Sequence, residues 1–365
     1  MTMNVMHLLA DADTGGIELL CKDYSIYSAH HNIFVVLWGE NGIYAKLMRS
    51  HGGTVMELHA DRKKVTEVYR ELCAIVRRYA INTVIVHHPR PVMHIYMHLL
   101  KIRFGRLKTI AYAHSRAEDM CRRNVRRGHV LKRVVLALAF RHSTQVVAIS
   151  NAVRQSLIDY FHVPPRMIKV IYNGTDTSRF VPVMDRKADS IRLVYVGRLV
   201  REKGVQTTLE CLSRVPGNLK WTFDIVGDGT YKADLEQQTV SLGLTDRVHF
   251  LGIRNDIPDV LKEEDVFIHM PECEEGFDIT VIEAMAAGLL CICSAKGGIP
   301  EIIKDHENGI LVHSGAELTE VLTHILTNDN FESLNLIRMH AIERAEDFDI
   351  RTFTKNLDDA ISALS

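Results

Sequence analysis

The 365-residue sequence has no long hydrophobic run, no internal repeat and few cysteines, and each shortage excludes a class of protein. No stretch approaches the roughly 20 consecutive apolar residues of a membrane-spanning helix, and the first residues lack the basic-then-apolar order of a secretory signal. The seven cysteines are scattered and odd in number, which argues against a disulfide framework or a zinc ribbon and favours a thiol-reducing, cytoplasmic setting. The absence of low-complexity tracts and of a solenoid period excludes disordered and repeat proteins.

The composition that remains is that of a globular protein with an uneven distribution of charge. With 47% hydrophobic and 24% charged residues, the length favours two domains. Through residue 180 there are 26 lysines and arginines against 13 aspartates and glutamates, whereas the remainder holds 18 basic and 32 acidic residues. A basic first half indicates an anionic partner, which is a phosphate, an acidic lipid surface or a nucleic acid.

Short β-branched runs alternate with segments of helical periodicity, and a loss of apolar periodicity between residues 173 and 189 marks a linker. This alternation predicts parallel sheets covered on both faces, so the expected fold class is α/β, with two Rossmann-like doubly wound domains facing a central cleft. The runs that predict strands are Val5–Ala10, Ile33–Trp38, Thr54–Leu58, Thr83–Val86, Thr109–Ala113, Gln145–Ile149, Arg192–Val196, Phe223–Val226, Val248–Leu251, Val266–His269 and Leu290–Cys293.

The residues that follow each strand are the candidates for ligand binding. In open α/β sheets ligands bind beyond the carboxyl ends of the strands, where helix N-termini offer free N–H groups to anions. Gly15 and Gly16 follow the first strand and would let a ligand approach the backbone, although such pairs also occur in ordinary turns. Asp11 and Asp13 admit a metal site, but a helix N-cap with first-turn charge is the favoured interpretation. His114 ends another strand, where a histidine is more often structural.

Two segments of the acidic half hold charged residues at the same kind of position. Arg198 and Lys203 lie five residues apart across a strand–turn–helix junction and are suited to clamp a diphosphate, unless the turn is simply solvated. Glu275 and Glu283 lie eight apart around a helix that should begin near Asp278 and receive phosphate oxygens on its first amides. Glu283 lies on an apolar helix face and needs a hydrogen-bonding partner there, such as a ribose. Glu275 is placed to meet a hexose. The alternative is that the two residues belong to an acidic helix cap.

Taken together, these segments resemble the retaining glycosyltransferases of the GT-B fold, glycosyltransferase family 4, of the bacterial cell-surface polysaccharide and lipopolysaccharide type. The resemblance covers nearly the whole chain and rests on Gly15-Gly16, VVAISNAVRQSL (146–157), IYNGTDTSRF (171–180), VYVGRLVREKG (194–204), IVGDG (225–229), EEGFDITVIEAMAAG (274–288) and GGIPEII (297–303). It implies an N-terminal acceptor-binding domain of residues 1–180 plus a C-terminal helix at about 348–365, and a C-terminal nucleotide-sugar-binding domain of residues 181–347.

The same resemblance implies roles for individual residues. Arg198 and Lys203 would neutralise the donor diphosphate, and Glu283 would hold the ribose. His114 and Glu275 take the catalytic positions, close to the donor sugar. The other donor-binding residues that the resemblance implies are Gly15, Gly16, Gly252, Ile253, Gly276, Phe277, Asp278, Ile279 and Thr280.

The reaction that the resemblance implies is transfer of a hexose, with retention, from a nucleotide-diphosphate sugar to a hydroxyl of a lipid-linked or glycan acceptor. A UDP-sugar is the preferred donor and GDP-mannose the next, and no metal or other cofactor is required. Asp278 departs from the family, which usually has glycine there, and its carboxylate would repel phosphates unless it caps the helix. The basic stretch with Arg122, Arg123, Arg126 and Arg127 is expected to hold the acceptor or to dock on an anionic membrane, on the cytoplasmic face of the inner membrane.

Three other interpretations stay open. A nucleotide-sugar epimerase or hydrolase of the same fold would consume donor without acceptor, but the acid and base carboxylates it needs are not identifiable. A nucleic-acid or other anion binder would use the basic half, yet it lacks the recognised motifs, and the acidic half would repel a polyanion. An inactive binding module is disfavoured by the joint presence of Arg198, Lys203, Glu275 and Glu283. Nucleic acid is therefore not expected as a partner.

Overall fold

The computed structural model describes residues 2–13, 15–39, 42–59, 61, 64–122, 128–184, 190–327 and 334–364. The chain forms two compact units, of which the first is Met1–Gly174 with Ile350–Ser365 and the second is Thr175–Asp349. Each unit is built on one parallel sheet with helices in the connections between its strands. The two Rossmann-like sheets expected from the sequence are thereby confirmed.

The first unit has a seven-stranded sheet in the order β3-β2-β1-β4-β5-β6-β7. All of its strand pairs are parallel, and the chain starts in the middle, moves to one edge and then returns to build the other side. The strands are β1 (Asn4–Leu9), β2 (His31–Val36), β3 (Thr54–Glu57), β4 (Thr83–Val86), β5 (Lys108–Ala113), β6 (Gln145–Ala148) and β7 (Ile168–Val170).

The helices of the first unit connect these strands, and the last of them is formed by the end of the chain. They are α1 (Gly16–Tyr27), α2 (Ile43–Ser50), α3 (Val65–Arg78), α4 (Pro91–Phe104), α5 (Ala117–Arg122), α6 (Gly128–His142), α7 (Asn151–Phe161) and α15 (Ile350–Ser362). On α15, Asp358 accepts hydrogen bonds from the Tyr24 hydroxyl at 2.5 Å and from the Ser28 hydroxyl at 2.8 Å. The C-terminal helix therefore packs on α1 of the first unit.

The second unit has a six-stranded parallel sheet in the order β10-β9-β8-β11-β12-β13. Its strands are β8 (Ile191–Val196), β9 (Trp221–Val226), β10 (Val248–Gly252), β11 (Val266–His269), β12 (Leu290–Ser294) and β13 (Ile310–Val312). Its helices are α8 (Val205–Leu212), α9 (Lys232–Ser241), α10 (Ile257–Lys262), α11 (Ile279–Ala286), α12 (Ile299–Ile302), α13 (Gly315–Thr327) and α14 (Asn335–Glu346).

The predicted strands are confirmed, with ends that differ by one or two residues, because parallel strands buried on both faces are continuous apolar runs. β4 and β11 are buried at every residue. β7 and β13 are not predicted by the sequence, since three residues are too few to show a periodicity.

The buried sulfur atoms belong to the packing of the two units. None of the seven cysteines forms a disulfide, six of them are buried, and Cys291 and Cys293 lie on the fully buried β12. Burial raises the pKa of both thiols, which keeps them as neutral core residues. Within the residues that the structure describes, no helix combines the length and the apolar character needed to cross a bilayer.

Candidate active site

Asp278 is the N-cap of α11, at the carboxyl end of β11 in the second unit. Its Oδ1 atom accepts hydrogen bonds from the backbone N–H of Thr280 at 3.1 Å and from the Thr280 hydroxyl at 2.7 Å. A short carboxylate at this position satisfies a helical N–H that has no partner within the helix. The departure from the glycine of the resembled family is thus explained locally, because the carboxylate caps the helix.

The second oxygen of Asp278 lies in a cluster of charged groups in which His269 is also buried and Lys203 and Glu275 are half-buried. Lys203 Nζ is 3.1 Å from Asp278 Oδ2 and 3.1 Å from Glu275 Oε1. His269, the last residue of β11, places its Nε2 atom 2.8 Å from Asp278 Oδ2. The loop after β8, the end of β11 and the start of α11 therefore meet around one ammonium group.

The electrostatics of this cluster follow from its pairing. Burial by itself lowers the pKa of Lys203, but Asp278 and Glu275 outweigh burial and raise that pKa above its ordinary value. Burial likewise raises the pKa of Asp278, and Lys203 and His269 overcome it and hold the pKa well below its usual range. Both groups are therefore charged at neutral pH.

Arg198 lies on the same turn as Lys203, immediately after β8. Its side chain is exposed, and its backbone carbonyl accepts a hydrogen bond from the Tyr195 hydroxyl at 3.1 Å. Burial raises the pKa of Tyr195, and the nearby charges that act on it include Lys203, Asp278 and Arg198. The guanidinium has no ion pair within the part of the chain that the structure describes, so it is open to an anionic ligand.

Gly297 holds the loop of Glu275 by a close backbone approach. Its φ is +58°, and a Cβ atom built on it would lie 2.0 Å from the carbonyl oxygen of Glu275. The neighbouring N–H of Gly298 donates to the same carbonyl at 2.8 Å, and the N–H of Gly297 donates to Glu274 Oε2 at 2.7 Å. Because no side chain fits there, glycine is required for the loop to take this position.

Glu283 lies within α11 and is buried, as its position on an apolar helix face predicts. The hydroxyl of Thr175 donates to its Oε1 atom at 3.4 Å. A buried carboxylate needs such partners, because an unpaired charge in the core is costly. Phe277, one residue before the cap, is also buried and packs edge-on against Phe348, with ring centroids 5.6 Å apart.

The other predicted donor residues of the second unit fall at two places. Gly276, Ile279 and Thr280 surround the N-terminus of α11 with Asp278. Gly252 ends β10, where its carbonyl accepts a hydrogen bond from the N–H of Gly227 at 2.8 Å, and the Ile253 side chain is 73% exposed. Such exposure of a large apolar side chain beside a strand end suits contact with a flat ligand.

Three side chains of the cluster, those of His269, Glu275 and Asp278, also have the spacing of metal ligands. In this arrangement the ammonium of Lys203 already lies within 3.1 Å of both carboxylates. A divalent ion would have to displace it, because two cations at that distance repel each other strongly. The donor set is therefore better matched to the lysine than to a metal ion.

In the first unit the glycine pair opens α1, with Gly15 as its N-cap and Gly16 as its first residue. A Cβ atom on Gly15, whose φ is +148°, would lie 2.3 Å from Glu18 Oε2. The expected N-cap role of Asp11 and Asp13 is wrong, since the glycine takes that place and Glu18 is the acidic residue of the first turn. Gly15 makes room for this carboxylate, whereas a Cβ atom on Gly16 would meet no neighbour within 4 Å.

Glu18 is a buried residue that the sequence analysis missed. His88, just after β4, places its Nε2 atom 3.1 Å from Glu18 Oε1, and its Nδ1 atom accepts from the N–H of Ala10 at 3.2 Å. Since Nδ1 accepts, the proton of a neutral His88 is on Nε2 and is donated to the carboxylate. The only signal for this pair in the sequence is that both residues follow predicted strands, Glu18 after β1 and His88 after β4.

His114 follows β5 and is half-buried, with its ring stacked on that of Tyr112 at a centroid distance of 4.2 Å. Its Nε2 atom lies 3.1 Å from His87 Nδ1. Burial, with a smaller contribution from the nearby His88, lowers the pKa of His114 to about 3. His114 is therefore neutral at physiological pH and is both donor and acceptor.

The arginines of the expected acceptor or membrane surface lie at or beside a segment that the structure does not describe, residues 123–127. Arg123, Arg126 and Arg127 lie outside the described residues, and of Arg122 the structure describes only the backbone, at the end of α5.

Two family models match this chain, one after the other. The model described as Glycosyltransferase Family 4 matches residues 15–179, and the model described as Glycosyl transferases group 1 matches residues 178–345. The chain therefore belongs to the GT-B glycosyltransferases of family 4, as the sequence motifs indicated.

Curated relatives match over part of their length. The chain is 32% identical over 188 residues to the UDP-Gal:alpha-D-GlcNAc-diphosphoundecaprenol alpha-1,3-galactosyltransferase of Escherichia coli, with 48% of each chain covered. It is 33% identical over 154 residues to the lipopolysaccharide core biosynthesis glycosyltransferase LpsE of Rhizobium meliloti, with 41% of this chain and 44% of LpsE covered. The matched region thus spans about half the length of these relatives.

Solved structures match over the full length and show the same fold. Anabaena Alr3699/HepE in complex with UDP-glucose is 22% identical and has a TM-score of 0.81, with 99% of this chain and 100% of that chain covered. WaaG, a glycosyltransferase involved in lipopolysaccharide biosynthesis, is 18% identical with a TM-score of 0.75, and 98% and 99% of the two chains are covered. Both comparisons identify the fold as GT-B.

Proposed function

We propose that the protein is a retaining glycosyltransferase that moves a hexose from a nucleotide-diphosphate sugar to a hydroxyl of a lipid-linked or glycan acceptor. A UDP-sugar is the preferred donor and GDP-mannose the next, and the product belongs to bacterial envelope polysaccharide such as lipopolysaccharide, O-antigen or capsule. The observation that carries this proposal is the pairing of Lys203 with Glu275 and Asp278 beside the N-terminus of α11. The E. coli relative, whose name specifies UDP-galactose, and the UDP-glucose complex of HepE support the choice of donor.

The charged groups of the second unit suit the departure of a nucleoside diphosphate. The Lys203 ammonium has three N–H donors, and its two carboxylate contacts leave one for a phosphate oxygen. The exposed Arg198 adds a planar fork that binds phosphate through two hydrogen bonds. Charge developing on the leaving group is then stabilised by fixed cations, which lowers the barrier to transfer.

Glu275 and Glu283 have separate tasks in this proposal. Glu275 lies in the loop just before the N-terminus of α11, and its ion pair with Lys203 orients its carboxylate. In this proposal the carboxylate accepts hydrogen bonds from hexose hydroxyls. Glu283, buried one helical turn further along, accepts from the ribose. Transfer needs no metal ion, because Lys203 supplies the positive charge between the carboxylates.

In the first unit, a cavity of about 430 Å³ beside the ends of β2 and β4 suits the acceptor. Arg90 lies over the ring of Trp38, 5.3 Å from its centroid, and Lys132 of α6 adds a second cation. A sugar stacked on Trp38 with its phosphate near these cations fits a lipid-linked pyrophosphate acceptor. The lining residues are Trp38, Pro89, Arg90, Pro91, Val92, Tyr96 and Lys132.

An exposed apolar surface on α4 and α6 suits the anionic membrane that would carry such an acceptor. Its side chains are between 39% and 79% exposed, and Lys101, Arg103, Arg133 and Arg141 lie on the same two helices. Apolar side chains flanked by cations bind an interface of acidic lipids. The apolar residues of this surface are Ile95, Leu99, Ile102, Leu131, Val134 and Leu138.

The donor proposal is tested by thermal shift and calorimetry of the purified chain with UDP, GDP, ADP and their sugars in the presence of EDTA. A ligand that binds only the folded state raises the melting temperature by mass action. We expect UDP or UDP-sugar to bind without metal, and Lys203→Met or Glu283→Ala to abolish the shift. Lys232→Met is the matched control, because Lys232 pairs with Glu236 on the surface of α9. Absence of nucleotide binding would contradict the proposal, and donor consumption without acceptor would indicate an epimerase or hydrolase.

The membrane proposal is tested by flotation with phosphatidylcholine vesicles that contain or lack phosphatidylglycerol. We expect binding only to the anionic vesicles, and loss of binding when the four arginines at 122, 123, 126 and 127, or Lys101, Arg103 and Arg141 on α4 and α6, are changed to glutamine. Replacement of Arg70, Arg77 and Arg78 on α3 is the control for general loss of charge. Unchanged flotation of both glutamine variants would overturn the membrane proposal and leave the donor proposal standing.

A further inference from the structure

Three histidines and one asparagine form a hydrogen-bonded chain across four neighbouring strands of the first unit. Asn32 Oδ1 on β2 is 3.0 Å from His7 Nε2 on β1. His7 Nδ1 is 3.0 Å from His87 Nε2, just after β4, and His87 Nδ1 is 3.1 Å from His114 Nε2, just after β5. The chain runs from the amino-terminal end of β2 to the carboxyl ends of β4 and β5.

The direction of these hydrogen bonds follows from the asparagine. Its Nδ2 group donates to the backbone carbonyl of His30 at 3.3 Å, so the atom facing His7 is the Oδ1 oxygen, which only accepts. His7 must therefore carry its proton on Nε2 and accept on Nδ1. By the same rule His87 carries its proton on Nε2 and accepts on Nδ1, and His114 then carries its proton on Nε2.

These tautomers require that each ring holds a single proton, and burial ensures this. Burial lowers the pKa of His7 to about 4 and that of His114 to about 3, and it places the pKa of His87 well below its ordinary value. The ring planes are also held, since His7 stacks on Phe34 at a centroid distance of 4.6 Å and His114 stacks on Tyr112. At neutral pH one tautomer of each ring satisfies all three contacts.

We propose that Asn32, His7 and His87 are positioning residues that fix His114 in its Nε2–H tautomer, so that the Nδ1 atom is presented as a hydrogen-bond acceptor at the carboxyl edge of the sheet. Resting on the proposed function, this means that the sugar or acceptor must offer a hydroxyl donor to His114. A substrate whose hydroxyl at that point is absent or methylated leaves the Nδ1 lone pair without a partner and is selected against.

The tautomers are measured on the full chain with ¹⁵N-labelled histidine by long-range ¹H–¹⁵N correlation spectra, without any substrate. We expect His114 of the unaltered protein to carry its proton on Nε2. In Asn32→Leu the acceptor at the start of the chain is lost, and His114 becomes a mixture of both tautomers. His98, whose Nε2 donates to the carbonyl of Ala139 at 2.9 Å, is an internal reference that should not change.

A matched variant separates this effect from a loss of stability. Asn82 precedes β4 and accepts a hydrogen bond from the N–H of Asn4 at 2.6 Å, without contact to the histidine chain. Asn82→Leu should leave every tautomer unchanged. If Asn32→Leu does not fold, His87→Phe removes the partner of His114 directly and gives the same readout.

A kinetic measurement then links the tautomer to transfer. Loss of one hydrogen bond corresponds to about a tenfold lower kcat/KM for the donor sugar in Asn32→Leu, with the Kd of UDP unchanged. A proton on Nδ1 of His114 in the unaltered protein, or a His114 tautomer that changes in neither Asn32→Leu nor His87→Phe, overturns the inference. An unchanged kcat/KM in a variant whose tautomer has shifted overturns the role in transfer. Failure of the chain to bind any nucleotide would instead reject the proposed function, because the spectra need no substrate.

Discussion

Replacement of Asp278 by alanine is the most informative single change, because this side chain stabilises the start of α11 in two ways. It caps the helix through Thr280, and it forms a part-buried ion pair with Lys203 while also contacting His269. Asp278 itself is only 6% exposed, so solvent screens these contacts little.

The expected magnitude follows from the two losses. A helix cap contributes about 1 kcal/mol, and removing one partner of a buried pair costs about 3–5 kcal/mol when the other charge is left alone. Lys203 keeps Glu275 at 3.1 Å in the variant and is itself only half-buried, so the ion-pair loss falls at the lower end of that range. We expect Asp278→Ala to lower the free energy of unfolding of the second unit by about 4 kcal/mol, and Asp278→Asn, which keeps an oxygen to cap the helix, by about 3 kcal/mol.

The assay uses the two tryptophans of the chain, one in each unit. In a Trp38→Phe background the buried Trp221 reports urea unfolding of the second unit alone, which matters because a protein of two units need not unfold in one step. With a slope of about 2 kcal/mol per molar urea, the midpoint of Asp278→Ala should fall by about 2 M.

The matched control is Asp256, which precedes α10 and pairs with Arg254 on the surface. Its side chain makes no capping hydrogen bond, and exposed pairs contribute little, so Asp256→Ala should leave the urea midpoint of the second unit unchanged. A loss of about 1 kcal/mol or less in Asp278→Ala would refute the reasoning, since it would mean that the ion pair with Lys203 does not stabilise the unit.

The remaining predictions concern packing, pH and binding. Gly297→Ala forces a Cβ atom against the carbonyl of Glu275 and should lower the urea midpoint of the second unit by about 1 M, whereas an unchanged midpoint would mean that the loop moves freely. Burial lowers the pKa of His7 to about 4 and that of His94 to about 3, so both rings are neutral in the folded protein. Below about pH 6.5 the same histidines take up protons in the unfolded state, and the free energy of unfolding therefore falls as the pH is lowered. Each of the two histidines should lower the free energy of unfolding of the first unit by about 2 kcal/mol between pH 7 and pH 5. Urea unfolding followed by the fluorescence of Trp38 measures this, and a free energy of unfolding that does not change between pH 7 and 5 would contradict it. Arg198→Met should raise the Kd of UDP by about tenfold to a hundredfold in calorimetry without changing the urea midpoint, because the side chain is exposed; equal UDP affinity would remove Arg198 from the donor site.

Most of the fold was predictable because its strands are short, apolar and parallel. A strand covered on both faces by helices must be hydrophobic along its length, and eleven such runs are visible in the sequence. The position of Asp278 at the start of a helix was also predictable, since a short polar residue before a periodic segment is typical of an N-cap.

The charged clusters depend on contacts between residues that are distant in the chain. Lys203 and Asp278 are 75 positions apart, and they meet because β8 and β11 are neighbours in the sheet, an order that local sequence does not encode. The same holds for Glu18 with His88, which meet because β1 pairs with β4.

Local sequence by itself determined the helices and strands, the family motifs and the edge of each sheet where ligand binding is expected. Hydrophobic periodicity, glycine placement and apolar runs are all properties of short segments. Only the tertiary structure decided that Asp278 pairs with Lys203 as well as capping α11. It also decided that His7, His87 and His114 form one chain, since strand order and register place each nitrogen opposite its partner. A tautomer set across four strands is a property of the sheet and not of any segment.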